Sequence, residues 1–416
     1  KGRTCENTVE KSNQREDLPL EDLVDTVLRS MSNIKKPQRL FMAALFKVLL
    51  IFQGKANFRN MSRYSTLSEK RLSRWYGRAF EFAQFNTNLL SHTLSDDQDC
   101  IAAIDASFVN KAGKKTDGLG WFYNGSLGQP QRGLEVSMIC RVDLKSNTAY
   151  ALEALQTIDQ LGQTRVDRYA EQVVKIAPQL LQQGIVHMVA DAYYSKIKFV
   201  SAVVAAGLHL VGKLRVDADL QWLYEGQYRG LGRPRKFDGK VDFNKDLDRF
   251  EQLDDLDDGV QVYTQVVFSK QLKRSIKVVM LRSVRGDQDS RVLLYSTDTS
   301  LDAMRLIQYY KARFQIEFLF RDAKQHTGLT HCQSRRKEAI HTHLNASLVA
   351  LNLLKLEDQQ IKKATGATVI SIASWKRKKF NQHLMERLFQ ELGLSLKSQK
   401  VAQVYDQMSD YGAIAA

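Results

Sequence analysis

Apolar and polar positions along this chain repeat with two periods, and the switches between them mark out its regions. Apolar residues recur at helical spacing over 21–31 (Leu23, Val24, Val27, Leu28, Met31). Lys35, Lys36 and Pro37 break that pattern, and 40–52 then reads as a strongly apolar helix. Shorter helical segments are expected over 58–64 and 67–82, the second opened by Thr66 and Glu69 in a capping-box pattern. Residues 1–98 thus form a helical region. From Asp99 the period shortens to two. CIAAIDASFV, WFYN and LEVSMICRVD read as strands separated by Gly-rich turns. An amphipathic helix over 165–183 follows, then GIVHMVADAYYS as a strand ending in Asp191, a helix over 196–206 and the strand HLVGKLR. Strand, helix, strand is the layered α/β pattern, here over 99–215. Residues 216–290 depart from it. GQYRGLGRPRKFDGKVDF, the acidic LDDLDDG and the strand-like VQVYTQVVFS and SIKVVMLRS read as a mainly β insertion. RVLLYSTD returns to the core (291–358), with a further apolar helix over 341–356. Residues 359–416 are helical and basic, a candidate dimerisation region.

Residues 299–328, TSLDAMRLIQYYKARFQIEFLFRDAKQHTG, read as one long helix, capped by Thr299 with Asp302 and stopped by Gly328. At about 100° per residue, Tyr310, Arg313, Glu317 and Lys324 fall within an arc of roughly 60°, with Arg321 close beside them. Met304, Ile307, Phe314 and Phe318 make an adjoining apolar band that would seat the helix. A carboxylate on a rigid element, ringed by cations and one aromatic, suits a metal ligand beside a phosphate backbone. Taken alone, an exposed helix with ordinary ion pairs explains the same residues.

Charge narrows the partner. Lys and Arg number 61 against 46 Asp and Glu, a net charge of +15 and a pI near 9.5. That excess suits a polyanion, and nucleic acid before an anionic membrane surface. No apolar run approaches the ~20 residues that span a bilayer, and no signal peptide is evident. Lys70, Arg71, Arg74 and Arg78 fall on or near one side of their helix, so a helix-turn-helix DNA reader competes with a bundle whose basic face is merely solvated. Arg233, Arg235 and Lys236 flank Pro234 in a basic loop suited to the DNA backbone or to plain solvation. Cys5, Cys100, Cys140 and Cys332 make no CxxC pair and read as reduced thiols of a cytosolic protein. The chain begins at Lys1, which reads as a trimmed start.

Asp105 and Asp191 each interrupt an apolar β-run, where an unpaired carboxylate is costly to bury. With Glu317 they make three carboxylates on neighbouring elements of an α/β sheet, a site for two hard divalent ions, Mg2+ with Mn2+ as substitute. Arg313 and Lys324 would hold phosphates, and Tyr310 would stack on a base or touch a phosphate. No Ser/His/Asp or Cys/His constellation is evident. His326, His331, His341 and His343 give no ligand face, and Asp322 points away from Glu317.

Tyr, two residues, Arg, three, Glu, six, Lys is the Y-R-E-K signature of cut-and-paste bacterial transposases, and Tyr310, Arg313, Glu317 and Lys324 fill it without a gap. The chain resembles the DDE transposases of the insertion-sequence-4 family over roughly 100–336. DAYY and GLTHCQSR look like family surroundings too. The resemblance implies an α/β fold: a ribonuclease H-like mixed-sheet core, interrupted by a mainly β insertion and flanked by helical N- and C-terminal regions. It implies nicking at a transposon end, a hairpin, and joining to target DNA by a homodimer on paired ends, in a bacterial cytoplasm at the nucleoid. An aromatic of the insertion would stack on a flipped base. Trp222 is the candidate, and a core tryptophan is an equal reading. A ribonuclease H-like nuclease without strand transfer and an inactive DNA-binding relative are the alternatives.

Overall fold

The computed structural model describes residues 19–94, 99–158, 160–228, 230, 233–256, 259–285, 288–366 and 371–414. Cys5 and the boundary expected at residue 98 lie outside them.

Among the described residues five α-helices come first: α1 (Leu20–Ser30), α2 (Lys36–Ile51), α3 (Phe58–Met61), α4 (Glu69–Tyr76) and α5 (Phe82–Thr93). Several boundaries differ from the sequence reading, the segment expected over 67–82 ending at Tyr76 with α5 beginning only at Phe82. Pro37 lies in the first turn of α2, where a missing N–H costs nothing, so the helix starts before the expected break. Ser68, not Thr66, caps α4 by accepting the Arg71 amide hydrogen at 3.3 Å.

The sheet begins with β1 (Cys100–Asn110), β2 (Gly120–Asn124), β3 (Gln129–Asp143) and β4 (Thr148–Gln156). Helix α6 (Arg165–Gln182), opened by a capping box of Thr164 and Asp167, leads to β5 (His187–Val189). Helix α7 (Ile197–Ala205) then leads to β6 (His209–Leu214). The order β4-β3-β1-β5-β6, antiparallel up to β1 and parallel beyond it, is ribonuclease H-like. β3 is long enough to carry both β2, over 129–133, and β4, over 136–143, on one edge. The outward backbone groups of β4 are satisfied from a later helix: Asn345 and Asn352 each take one N–H and one C=O, at Ala154 and Ala151.

The insertion supplies β7 (Leu220–Leu223), β8 (Phe237–Lys240), β9 (Glu251–Leu256), β10 (Val260–Ser269) and β11 (Arg274–Arg285), and β12 (Gln288–Ser296) follows. These strands do not form a sheet of their own. β12 pairs antiparallel with β6, β11 with β12 and β10 with β11, so the core sheet runs on into the insertion as one twelve-stranded sheet.

The stretch expected as one long helix is two: α8 (Ala303–Ala312) and α9 (Gln315–His326). At the join, the amides of Arg313, Phe314, Ile316 and Glu317 reach back three residues instead of four. Asp302 itself is the N-cap, accepting the Arg305 amide hydrogen at 2.9 Å, and Gly328 at φ +78° turns the chain after α9. The seating face also differs. Met304 and Phe314 are about half exposed, while Leu306, Ile307, Ile316, Leu319, Phe320 and Ala323 are buried. Helices α10 (Lys337–Thr365), α11 (Ile372–Glu391) and α12 (Gln399–Ser409) complete the chain.

Alternation along β1 divides two cores. Ala102 and Ile104 face the side of α5, α6 and α7, whereas Ile101, Ala103 and Val109 face α8 and α9. Asp105 therefore points to the α8–α9 face.

Candidate active site

Asp105 occupies the middle of β1, directly opposite Met138 of β3. On its other side β5 runs parallel, with Ala103 beside Val189. Carrying that register two residues on sets Asp191 beside Asp105, just past the end of β5. There the Asp191 carboxylate caps a short 3-10 turn by accepting the Tyr193 amide hydrogen at 2.8 Å. Helix α9 packs across β1 on the same face and brings Glu317 in.

Arg313, at the break between α8 and α9, is the hinge of this group. Its guanidinium donates to Glu317 Oε1 at 2.9 Å and lies 3.9 Å from Asp105 Oδ2. It also sits 5.9 Å from the centre of the Tyr310 ring. Burial works against its charge, but Asp105, Tyr310 and Glu317 together raise its pKa. Lys324 reaches across to donate to Ser107 Oγ at 2.8 Å, and burial lowers its pKa. Ser107 shares a face with Asp105 two residues along the strand. The period-2 pattern could have flagged it, but its interest depends on where Lys324 lands.

Burial pushes the Asp105 carboxyl up to about 6. The Ala106 amide, donating to Asp105 Oδ1 at 2.8 Å, opposes the rise, as does Arg313; the charges of Asp191 and Glu317 add to it. A buried Asp105 carboxylate with the charges of Asp191 and Glu317 acting on it is what a hard cation relieves, and a donor set of carboxylate oxygens alone suits a divalent one. The acids are not drawn into a closed cage. Among the described residues no three His, Cys, Asp or Glu side chains stand close enough together to hold an ion. Arg313 takes up part of that role by bridging Glu317 towards Asp105.

Other expected residues lie elsewhere. Arg321 turns away from the triad, pairing with Asp322 at 3.0 Å and covering the Phe318 ring at 4.6 Å. Trp222 is packed in the insertion, its indole N–H donating to Asp246 at 3.0 Å, with Phe250 against one side and Arg249 over the ring. It matches the core-tryptophan reading, and stacking on a base would require it to be uncovered. Arg233 and Arg235 are exposed, Arg235 being bound to Asp238 at 2.7 Å. Lys70, Arg71 and Arg74 are exposed on α4, while Arg78 lies beyond the helix end over the Trp75 ring. The histidines serve structure: His343 bonds to the Gly328 carbonyl and His331 accepts the Ala56 amide hydrogen. Cys100, Cys140 and Cys332 are free thiols. No helix among the described residues is long and apolar enough to cross a membrane.

The chain's overall shape is similar to that of a piggyBac transposase in a synaptic complex with hairpin DNA, at 10% identity and a TM-score of 0.42. That match covers 93% of this chain and 81% of the other. It is similar more weakly to the NurA nuclease from Sulfolobus solfataricus, at 10% identity and a TM-score of 0.23, covering 64% of this chain and 85% of the other. At such scores neither likeness bears on function. No curated protein matches the chain. The model of the transposase DDE domain family matches residues 96–353, which include Asp105, Asp191 and Glu317 and make up more than half of the 416 residues. The protein belongs to the transposases with a DDE domain.

Proposed function

We propose that this protein is a cut-and-paste DNA transposase of the Y-R-E-K type, similar to the insertion-sequence-4 family, cleaving and joining DNA at the ends of a mobile element. What supports the reading is Asp105 on one face of a ribonuclease H-like sheet, with the charges of Asp191 and Glu317 acting on it, Arg313 between it and Glu317, and Lys324 on Ser107 of the same strand. The three acids would hold two Mg2+ ions, with Mn2+ as substitute. Bound there, the ions would supply Lewis-acid charge beside the scissile phosphate and the leaving oxygen.

The chain's own groups do the rest. Arg313 exchanges its carboxylate partners for the incoming phosphate, which its planar fork can grip at two oxygens. Lys324 leaves Ser107 for a neighbouring phosphate, and its lowered proton affinity reflects a half-buried position where an anion is welcome. Tyr310 borders the same group and orients the strand. The basic surface on α4, and Arg233 and Arg235 of the insertion, contribute non-specific attraction to the duplex. A hairpin intermediate, a homodimer on paired ends and a bacterial cytoplasmic setting belong to the same proposal. So do the region boundaries: a helical DNA-binding 1–98, a core of 99–215 and 291–358, an insertion of 216–290 and a C-terminal 359–416.

The test is cleavage of a labelled duplex carrying the element's own end, with Mg2+ or Mn2+, comparing the wild type with Glu317→Gln. Nicked, hairpin and joined products that vanish in the variant are expected. Nicking that survives Glu317→Gln removes the third acid from the site. Nicking without joined product, in wild type, moves the reading to a nuclease.

A further inference from the structure

Two aromatic side chains of β2 stand in solvent: Trp121 is 67% exposed and Tyr123 63%. Phe122, between them on β2, is buried, with the Arg165 guanidinium of α6 stacked 4.6 Å from its ring centre. Alternation turns Trp121 and Tyr123 to the opposite face. The register says which face that is. Trp121 pairs with Arg132 and Tyr123 with Pro130 on β3. Further along β3, at the same parity, Leu134, Val136 and Met138 pack on the α8–α9 side, and Met138 lies opposite Asp105 with unbroken pairing between. The two aromatics therefore stand on the triad's face of the sheet. Six residues of β3 separate the Asp105 level from the Trp121 level, roughly 20 Å at the rise of a strand.

Val109, Leu134 and Val136 of the intervening face are covered by packing, and cations stand at both ends of the span. Lys324 sits on Ser107, Lys111 donates to the Cys332 carbonyl, and exposed Arg132 lies directly across from Trp121. The loop before β2 is tied down as well: Asp117 donates its amide hydrogen to the Arg335 carbonyl at 2.9 Å and accepts the Lys337 amide hydrogen at 3.0 Å. The hairpin is thus held in place relative to the site.

We propose that Trp121 and Tyr123 form a stacking platform for unpaired bases of the DNA strand that runs out of the active site. This rests on the reading of the triad as a DNA-cleaving centre. Spacing selects the ligand. Same-face neighbours on a strand are about 7 Å apart, twice the roughly 3.4 Å between stacked bases of a duplex strand. One base can lie on each ring only if the strand is pulled out to about double that rise. Extended single-stranded DNA meets this requirement, and paired duplex does not. Flanking cations for the backbone and aromatic faces for the bases are the two components of sequence-tolerant single-strand binding.

The experiment is equilibrium binding of the full chain, metal-free, to two probes: a blunt duplex and the same duplex with a single-stranded polythymidine arm. Trp121→Ala and Tyr123→Ala are each expected to weaken binding of the armed probe about tenfold and to leave the blunt duplex unchanged. Trp121→Tyr is expected to keep most of the wild-type affinity. Equal losses on both probes, or no loss on the armed one, overturn the platform while leaving the transposase reading intact. A wild type that binds neither probe overturns both. The unfolding midpoint of each variant is expected to match wild type, because both side chains are solvent-exposed.

Discussion

Glu153 and Asp105 stand two strands apart in one sheet, on opposite faces, and their surroundings act on them with opposite sign. Glu153, 1% exposed on β4, receives the Lys175 ammonium of α6 at 2.9 Å and has His341 at 3.8 Å. Burial alone would raise its pKa, but the Lys175 hydrogen bond and the nearby His341 outweigh that and hold it below its ordinary value. Asp105 is held up near 6 by its burial first and then by two further carboxylates, against the Ala106 amide and a guanidinium at 3.9 Å. One acid has an ammonium of its own fold against it; the other is left with charge that its fold only partly offsets. Buried charge of the second kind is what a site built to receive a cation would carry.

The largest expected effect follows from that contrast. Asp105→Asn should lower end cleavage on the order of a thousandfold, the several kcal/mol of charge stabilisation that metal ligation supplies, while metal-free thermal stability holds or rises. Cleavage within about tenfold of wild type would break the comparison on its functional side. Glu153→Ala should do the reverse. It should cost about 1–3 kcal/mol in chemical unfolding, less than a fully buried pair because Lys175 is half exposed, and leave cleavage per folded molecule unchanged.

The two acids should also separate by pH in chelator. The Asp105 pKa lies above its ordinary 3.8. The folded state therefore binds the extra proton between about 4 and 6, and stability falls as pH rises through that window. Asp105→Asn should remove this fall, worth up to about 3 kcal/mol. The Glu153 pKa lies below its ordinary 4.5. Its contribution is fully present above that value and is lost as pH drops below it, so Glu153→Gln should flatten the acid limb instead. Unfolding midpoints measured from pH 3 to 8 distinguish the two slopes.

Arg313→Gln sharpens the same contrast at one residue. Without the guanidinium the Asp105 carboxyl should titrate higher by NMR, and affinity for a duplex end should drop about tenfold. Arg321→Ala is the smallest change. Its guanidinium serves Asp322 and the Phe318 ring at the surface, so stability should shift within about 0.5 kcal/mol and cleavage within about twofold.

Much of the site was legible because its signals are local. Asp105 and Asp191 stand out as acids in apolar runs, and Glu317 stands in a spaced set with Tyr310, Arg313 and Lys324. Less of the fold was legible. Strand β4 and helix α5 carry alternation and caps too weak to separate them from their neighbours, and their identity rests on partners distant in the chain, such as Asn345 and Asn352 on β4. Arg321 and Trp222 stand out by residue type and position alone, and local pairing engages both, Arg321 with Asp322 and Trp222 with Asp246.

The sequence by itself determined which residues carry charge at which period, because side-chain direction follows from 3.6 and 2.0 residues per repeat over a few positions. From that came the acids, the cations beside Glu317, the basic balance and the alternation of helix and strand. Only the tertiary structure decided that α8 and α9 are separate helices with Arg313 at the join, and that the insertion extends the core sheet. It alone put Lys324 on Ser107, and Trp121 and Tyr123 on the face of Asp105. Each of these depends on strand pairing or helix docking between distant segments, whose register is set by which surfaces are buried together.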